Sequence, residues 1–156
     1  MCYFADALND KRTQTVDECL EVLRPRLNEF DAIAFTGISG AVMAPILAYL
    51  LDKPLIAVRK SIDDGTHSCD LVETSWVPDK LNDEDRVLVV DDFVLTGSTL
   101  HRIIEALRSD CSARVVAVLG YQKYAGGNKR HAPWADTNDS IKGIELWQHG
   151  HDDQII

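Results

Sequence analysis

Apolar positions in this chain are arranged in two ways, as spaced stripes and as unbroken runs. Val16, Cys19, Leu20, Leu23 and Leu27 recur every three or four residues, the spacing of one helix face. Thr15 and Glu18 read as a capping box at the start of that helix, and Pro25 as its end or kink. The next segment, FDAIAFTGISGAVMAPILAYLLDKPLIAVRK, predicts a strand over 31–35, a glycine turn, an almost wholly apolar helix and a second strand over 54–59. That is a βαβ unit with a right-handed crossover. Pro45 is expected within or just after the first helical turn, where a missing N–H costs least. Residues 61–85 turn polar, with one alternating patch around Leu71, Val72 and Trp76.

The run Val87 to Val90 is β-branched and apolar without alternation, as in a strand buried on both faces of a parallel sheet. It ends in Asp91 and Asp92, and a loop closing on Thr96, Gly97, Ser98 and Thr99 leads into a helix. Leu100, Ile103, Ile104 and Leu107 give that helix one buried stripe, with Ser98 or Thr99 as its cap. Arg114 to Leu119 is a further strand, which brings the parallel set to at least four, and a short strand is expected within 141–147. No repeats or low-complexity tracts interrupt the pattern.

The junction after Val90 carries the chemistry. A tight loop opening a helix aims free backbone N–H groups at one spot, where the helix dipole adds positive potential, so an anion and most naturally a phosphate belongs there. The two carboxylates beside it repel phosphate and suit ribose hydroxyls or a magnesium ion. A receiver domain would place its aspartate pair after the first strand. A P-loop hydrolase would need GxxxxGK[ST] upstream, which is absent. An aspartyl phosphatase would want its second Asp where Phe93 stands. The turn Thr36-Gly37-Ile38-Ser39-Gly40 is a second anion cradle at a strand-to-helix junction.

Composition narrows the setting. A chain of 156 residues with 46% hydrophobic content forms one domain that buries about two thirds of its unfolded surface. The net charge of −9 argues against nucleic-acid binding through phosphate neutralisation. No stretch reaches the ~20 apolar residues of a membrane span, and the N-terminus lacks a signal-peptide core, so a cytoplasmic protein with no membrane partner is expected. Cys2, Cys19, Cys69 and Cys111 are dispersed, which fits free thiols in a reducing compartment. His149 and His151, with Asp152 and Asp153, read as exposed terminal residues or else an adventitious metal site.

The stretch VLVVDDFVLTGST resembles the thirteen-residue phosphoribosyl pyrophosphate (PRPP) signature of the type I phosphoribosyltransferases at nearly every position. The resemblance covers roughly residues 30–120. It implies an α/β fold, a single-domain, Rossmann-type and mostly parallel sheet with helices on both faces. A flexible lid over about 61–76, including His67, and a small, variable C-terminal hood over about 121–156 complete it. By that resemblance Asp91 and Asp92 are the catalytic pair, holding the ribose hydroxyls and, through ribose or water, Mg2+. Leu95, Thr96, Gly97, Ser98 and Thr99 take the 5′-phosphate. Thr36, Gly37, Ile38, Ser39 and Gly40, with Arg59 and Lys60, take the pyrophosphate. Lys123 and Trp147 (or Trp134) in the hood are the candidates for base contact.

The activity implied is transfer of the 5-phosphoribosyl group from PRPP to a nucleobase, with release of pyrophosphate, in nucleotide salvage. The alternative is a non-catalytic PRPP-binding regulator on the same fold. A homodimer is implied by analogy. One departure bears on the base. Relatives acting on 6-oxopurines commonly carry Asp just before Thr-Gly-x-Thr, where this chain has Leu95, although Lys123 resembles their oxo-group contact. Orotate relatives place a catalytic lysine in the mobile loop, and none occurs here between Ser61 and Pro78.

Overall fold

The computed structural model describes residues 12–59, 72–75, 84–92, 97–110, 113–122, 141, 143–150 and 154–155. Helix α1 (Arg12–Leu23) runs into a 3-10 turn at Arg24–Arg26 with Pro25 inside it. Strand β1 (Ala32–Phe35), helix α2 (Gly37–Leu51) and strand β2 (Leu55–Val58) form the expected βαβ unit. Then come β3 (Val72–Ser75), β4 (Arg86–Asp91), α3 (Ser98–Asp110), β5 (Arg114–Gly120), β6 (Glu145–Trp147) and β7 (Gln154–Ile155).

All seven strands join one sheet in the order β3-β2-β1-β4-β5-β6-β7. The inner five are mutually parallel, while β3 and β7 close the two edges antiparallel. The continuous apolar runs seen in the sequence are explained by this arrangement, because each inner strand has a core on both faces. Ala32, Ala34, Val87 and Val89 face α3, whose Leu100, Ile103, Ile104 and Leu107 cover them. Ile33, Leu88 and Val90 face the other way, onto Leu20 and Leu23 of α1 and Met43, Ala44 and Leu47 of α2. Helices therefore cover both faces of a mostly parallel sheet. Between Val87 and Leu88 the register on β5 skips from Val115 to Ala117, a bulge that changes the phase of that strand. Val115 and Val118 end up in one core, and Ala117 and Leu119 in the other.

At the amino ends of β1 and β4, Asp31 accepts from the Arg86 guanidinium at 2.9 and 3.0 Å and from the Arg86 backbone N–H at 2.9 Å. Those bonds hold the Asp31 carboxyl below its ordinary range. The pair fastens the end of the sheet opposite the carboxylates of β4.

Several local expectations shift. Thr15 lies inside α1, which already runs from Arg12, so it is no N-cap; Arg12 and Gln14 are good helix formers that carry the helix past it. Pro45 stands nine residues into α2. The carbonyl it leaves without a donor belongs to Ala41, which is exposed and open to water. Ser98 and Thr99 fall inside α3, and the residue ahead of it is Gly97, at φ +69°, whose carbonyl accepts from His101 N–H at 2.8 Å. A positive φ is open to glycine, which turns the chain into the helix ahead of both expected caps. Of the stretch assigned to a lid, Val72–Ser75 form edge strand β3 and the rest lies outside the described residues. Among the described residues within 141–147, Glu145–Trp147 are strand.

Gly40 fixes how α2 meets the sheet. A Cβ there would stand 2.7 Å from Phe35 Cβ and 3.0 Å from the Val90 carbonyl oxygen, neither of which can swing aside. A Gly40→Ala variant is therefore expected to lose about 1–3 kcal/mol of stability, although alanine is the better helix former. Chemical denaturation measures this, and an unchanged midpoint would mean that α2 has room to move.

Candidate active site

In parallel strands all carboxyl ends share one edge of the sheet, and here the chain leaves β1 and β4 toward opposite faces. Strand order turns about β1 and β4, with β2 on one side and β5 on the other, which makes the crevice between them the topological switch point of the sheet. The described candidates lie along this edge, with Trp147 at the end of β6 buried in the core.

Asp91 closes β4 and Asp92 follows it; both are buried, 8% and 9% exposed. Asp92 N–H donates to Asp91 Oδ1 at 3.0 Å. Burial and then the neighbouring Asp92 charge push the Asp91 carboxyl up to about 7, while the Asp92 N–H and the Ser39 hydroxyl, hydrogen-bonded to it, hold it back. Two adjacent carboxylates in so little water make a site of negative potential. Hydroxyl donors or a cation would relieve it. No group of three or more metal-ligating side chains is found among the described residues. Two adjacent carboxylates are hard oxygen donors, the kind magnesium takes when water and ligand oxygens complete its shell.

The first cradle stands beside this pair. Thr36 precedes α2 in extended conformation and makes no side-chain cap. Its hydroxyl oxygen is buried without a hydrogen-bond partner. Gly37 at φ +71° then turns the chain into the helix. An orphaned hydroxyl at a helix N-terminus is costly in an empty fold and useful to an anionic ligand. Ile38 is 68% exposed at the mouth, and Ser39 reaches Asp91. The second cradle opens α3: Gly97 and Thr99 are described, Ser98 by its backbone, and Leu95 and Thr96 lie outside the described residues. Arg59 follows β2 at the same edge, two positions beyond Ala57, which pairs with Phe35. Lys60 and Lys123 lie outside the described residues.

Trp147 is a correction. Its ring is 1% exposed and packs against Phe30, with centroids 6.2 Å apart, while the Arg26 guanidinium lies over it at 5.1 Å. Its indole N–H donates to Glu145 Oε2 at 2.7 Å. A ring so enclosed belongs to the core and offers no face to a heterocycle. His149 is likewise no free terminal residue. Its Nε2 lies 2.9 Å from Glu21 of α1 and its Nδ1 3.9 Å from Glu18, which pins the segment after β6 to α1.

Sequence reading missed Tyr121, just past β5. Its N–H donates to the Asp91 carbonyl at 3.2 Å, and its hydroxyl donates to the Ser39 carbonyl at 2.8 Å. Burial first, then Asp92 and Asp91, raise its phenol well above the ordinary value, so it stays a donor. Gln122 N–H holds the Asp92 carbonyl at 2.8 Å. Tyr121 and Gln122 also line an open cleft with Glu18, Cys19, Gln148 and His149 beside the acidic pair. Burial pushes the Cys19 thiol up to about 12, which makes it an inert wall. The only signal in the sequence was an aromatic residue directly after a buried strand.

Comparison with known proteins agrees with this geometry. Residues 30–153 match the family model of the phosphoribosyl transferase domain. An HGPRTase-like protein of Halorubrum lacusprofundi is 27% identical over 91% of this chain and 79% of its own length. The adenine phosphoribosyltransferase of Pelagibacter ubique is 30% identical over 69% of each chain. The crystal structure of orotate phosphoribosyltransferase from Aeropyrum pernix superposes with a TM-score of 0.54 at 31% identity, over 69% of this chain and 56% of that one. With strand order, acidic pair and family model in agreement, the chain belongs to the type I phosphoribosyltransferase family.

Proposed function

We propose that this protein transfers the 5-phosphoribosyl group of PRPP to a ring nitrogen of a nucleobase and releases pyrophosphate. One observation carries the reading: two helix N-termini flank a buried acidic pair at the switch point, and one of them holds an orphaned hydroxyl. PRPP is a sugar with a phosphate at one end and a pyrophosphate at the other. The α3 cradle, Leu95 to Thr99, takes the 5′-phosphate. Thr36 to Gly40, with Arg59 and Lys60, take the pyrophosphate. Asp91 and Asp92 accept from the ribose hydroxyls and favour positive charge on the ring as the bond from C1 to pyrophosphate breaks and the bond to nitrogen forms. Little covalent work falls to the protein, so positioning and electrostatics carry the rate. Mg2+, held by Asp91 and Asp92 through water and ribose hydroxyls, would supply charge neutralisation to the leaving pyrophosphate.

The lid that excludes water is assigned to the part of 61–76 outside edge strand β3, and Lys123 remains the base-contact candidate of the hood. A cytoplasmic setting fits the dispersed cysteines and the buried, free Cys19. Among the described residues no helix is long and apolar enough to cross a membrane. A homodimer is proposed through α2, which has no charged side chain from Gly37 to Leu51 yet exposes Ile38, Tyr49 and Leu50. An uncharged helix face left to water suits a second copy of a chain whose net charge is −9. Sedimentation is expected to give twice the monomer mass, and a monomer after Tyr49→Glu.

The test of function is pyrophosphate release from PRPP and Mg2+ with adenine, hypoxanthine, guanine and orotate, the bases in the names of the relatives. Release with one base names the substrate. Binding of PRPP without release from any base would turn the reading to a PRPP-dependent regulator.

A further inference from the structure

The first cradle is carried by the opening turn of α2, and two kinds of contact set where that turn lies. The close approach of Gly40 to Phe35 and Val90 fixes how near the helix comes to the sheet. Close packing of that kind limits the approach but supplies no hydrogen bond to orient the first turn. A directional contact comes from Tyr121, 82 positions further along the chain, whose hydroxyl donates to the Ser39 carbonyl at 2.8 Å. Its backbone N–H is bonded to the Asp91 carbonyl at the end of β4. Ser39 completes the circuit, with its hydroxyl bonded to the Asp91 carboxylate. Tyr121 thus touches the helix turn that forms the cradle and the strand end that carries the acidic pair. It bridges past β4, since β5 lies on the far side of that strand from β1.

We infer that Tyr121 is a positioning residue, which holds the first turn of α2 at the angle where the 36–40 cradle and Asp91 engage the same ligand. The inference rests on the assignment of that cradle to pyrophosphate. It separates the two halves of the site, because the bonds of Tyr121 run to Ser39 and to Asp91 and, among the described residues, none runs to α3. Loss of the hydroxyl should therefore weaken ligands that fill the first cradle and spare those that fill only the second. Misplacement of a cradle by a fraction of an ångström is enough to lower affinity measurably.

The experiment is calorimetric titration of Tyr121→Phe and wild type with pyrophosphate, PRPP and ribose 5-phosphate in the presence of Mg2+, together with steady-state kinetics. Pyrophosphate and PRPP are expected to bind about tenfold more weakly to Tyr121→Phe, the size of one well-placed hydrogen bond, with ribose 5-phosphate within about twofold of wild type. KM for PRPP should rise by a similar factor, with a smaller change in kcat. The ring is retained, so thermal unfolding is expected to stay near wild type. Should that variant unfold, Tyr121→His, whose ring N–H cannot reach the Ser39 carbonyl from the phenol's position, is read with the same three ligands and the same expectation. Equal affinities in variant and wild type, or an equal loss for all three ligands, would overturn the positioning role. Wild-type protein that binds neither pyrophosphate nor PRPP would instead overturn the phosphoribosyl reading on which it rests.

Discussion

The double variant Asp91→Asn/Asp92→Asn is expected to lose pyrophosphate release by about 10³-fold or more, the scale on which removal of preorganised electrostatic groups acts, while remaining folded. Both side chains sit at the end of β4 over the crevice, and neither belongs to a hydrophobic core cluster. The amide keeps the shape and loses the charge that would favour a positively charged ribose ring. Turnover within tenfold of wild type would remove the pair from the mechanism.

Stability should move the other way. Asp91 titrates near 7 in the folded chain against an ordinary value of 3.8. The folded state therefore keeps a proton that the unfolded state has already released over that window. Stability falls as pH rises from about 4 to about 7, by as much as ~4 kcal/mol from this group if the whole shift is expressed. Asp91→Asn should flatten that slope and unfold at a higher temperature than wild type at pH 8, with the difference shrinking toward pH 4. A wild-type midpoint that rises steadily between pH 4 and 7, unaltered by the substitution, would contradict the buried-pair electrostatics.

The largest loss of stability is expected at Trp147. Trp147→Ala should cost about 3–5 kcal/mol, the range for emptying a fully buried aromatic site. In a domain of this size that lowers the thermal midpoint by roughly 10 °C. The ring is the common neighbour of Phe30 and Arg26, and its N–H is bonded to Glu145 on its own strand. Its removal opens a cavity between β6 and the segment that leads into β1. Trp147→Phe should recover part of the loss and leave the acceptor KM unchanged. A tenfold rise in that KM with unaltered stability would return the ring to the base site.

The acidic pair at a strand end, the glycine turns into α2 and α3 and the alternation of strands and helices were legible in the sequence because they depend on neighbours in the chain. Val87 to Val90 announce a strand with two buried faces, Asp91 and Asp92 its charged end, and Gly97 the turn into a helix; each is a local statement about backbone preference and side-chain chemistry. Such local signals misplaced features that neighbours do not decide. Pro45 sits in mid-helix because the apolar packing of α2 outweighs one lost backbone bond, and Gly97 precedes α3 where a hydroxyl cap was expected. Trp147 and a base-stacking residue look alike in sequence, since an aromatic ring suits either, and only Phe30 and Arg26 closing around it tell them apart. The bond from Tyr121 to Ser39 and the clamp of His149 on Glu21 join residues 82 and 128 positions apart. Period and propensity describe at most a turn or two of chain, so contacts of that range exist only once the sheet order brings the ends of β1, β4 and β5 to one edge.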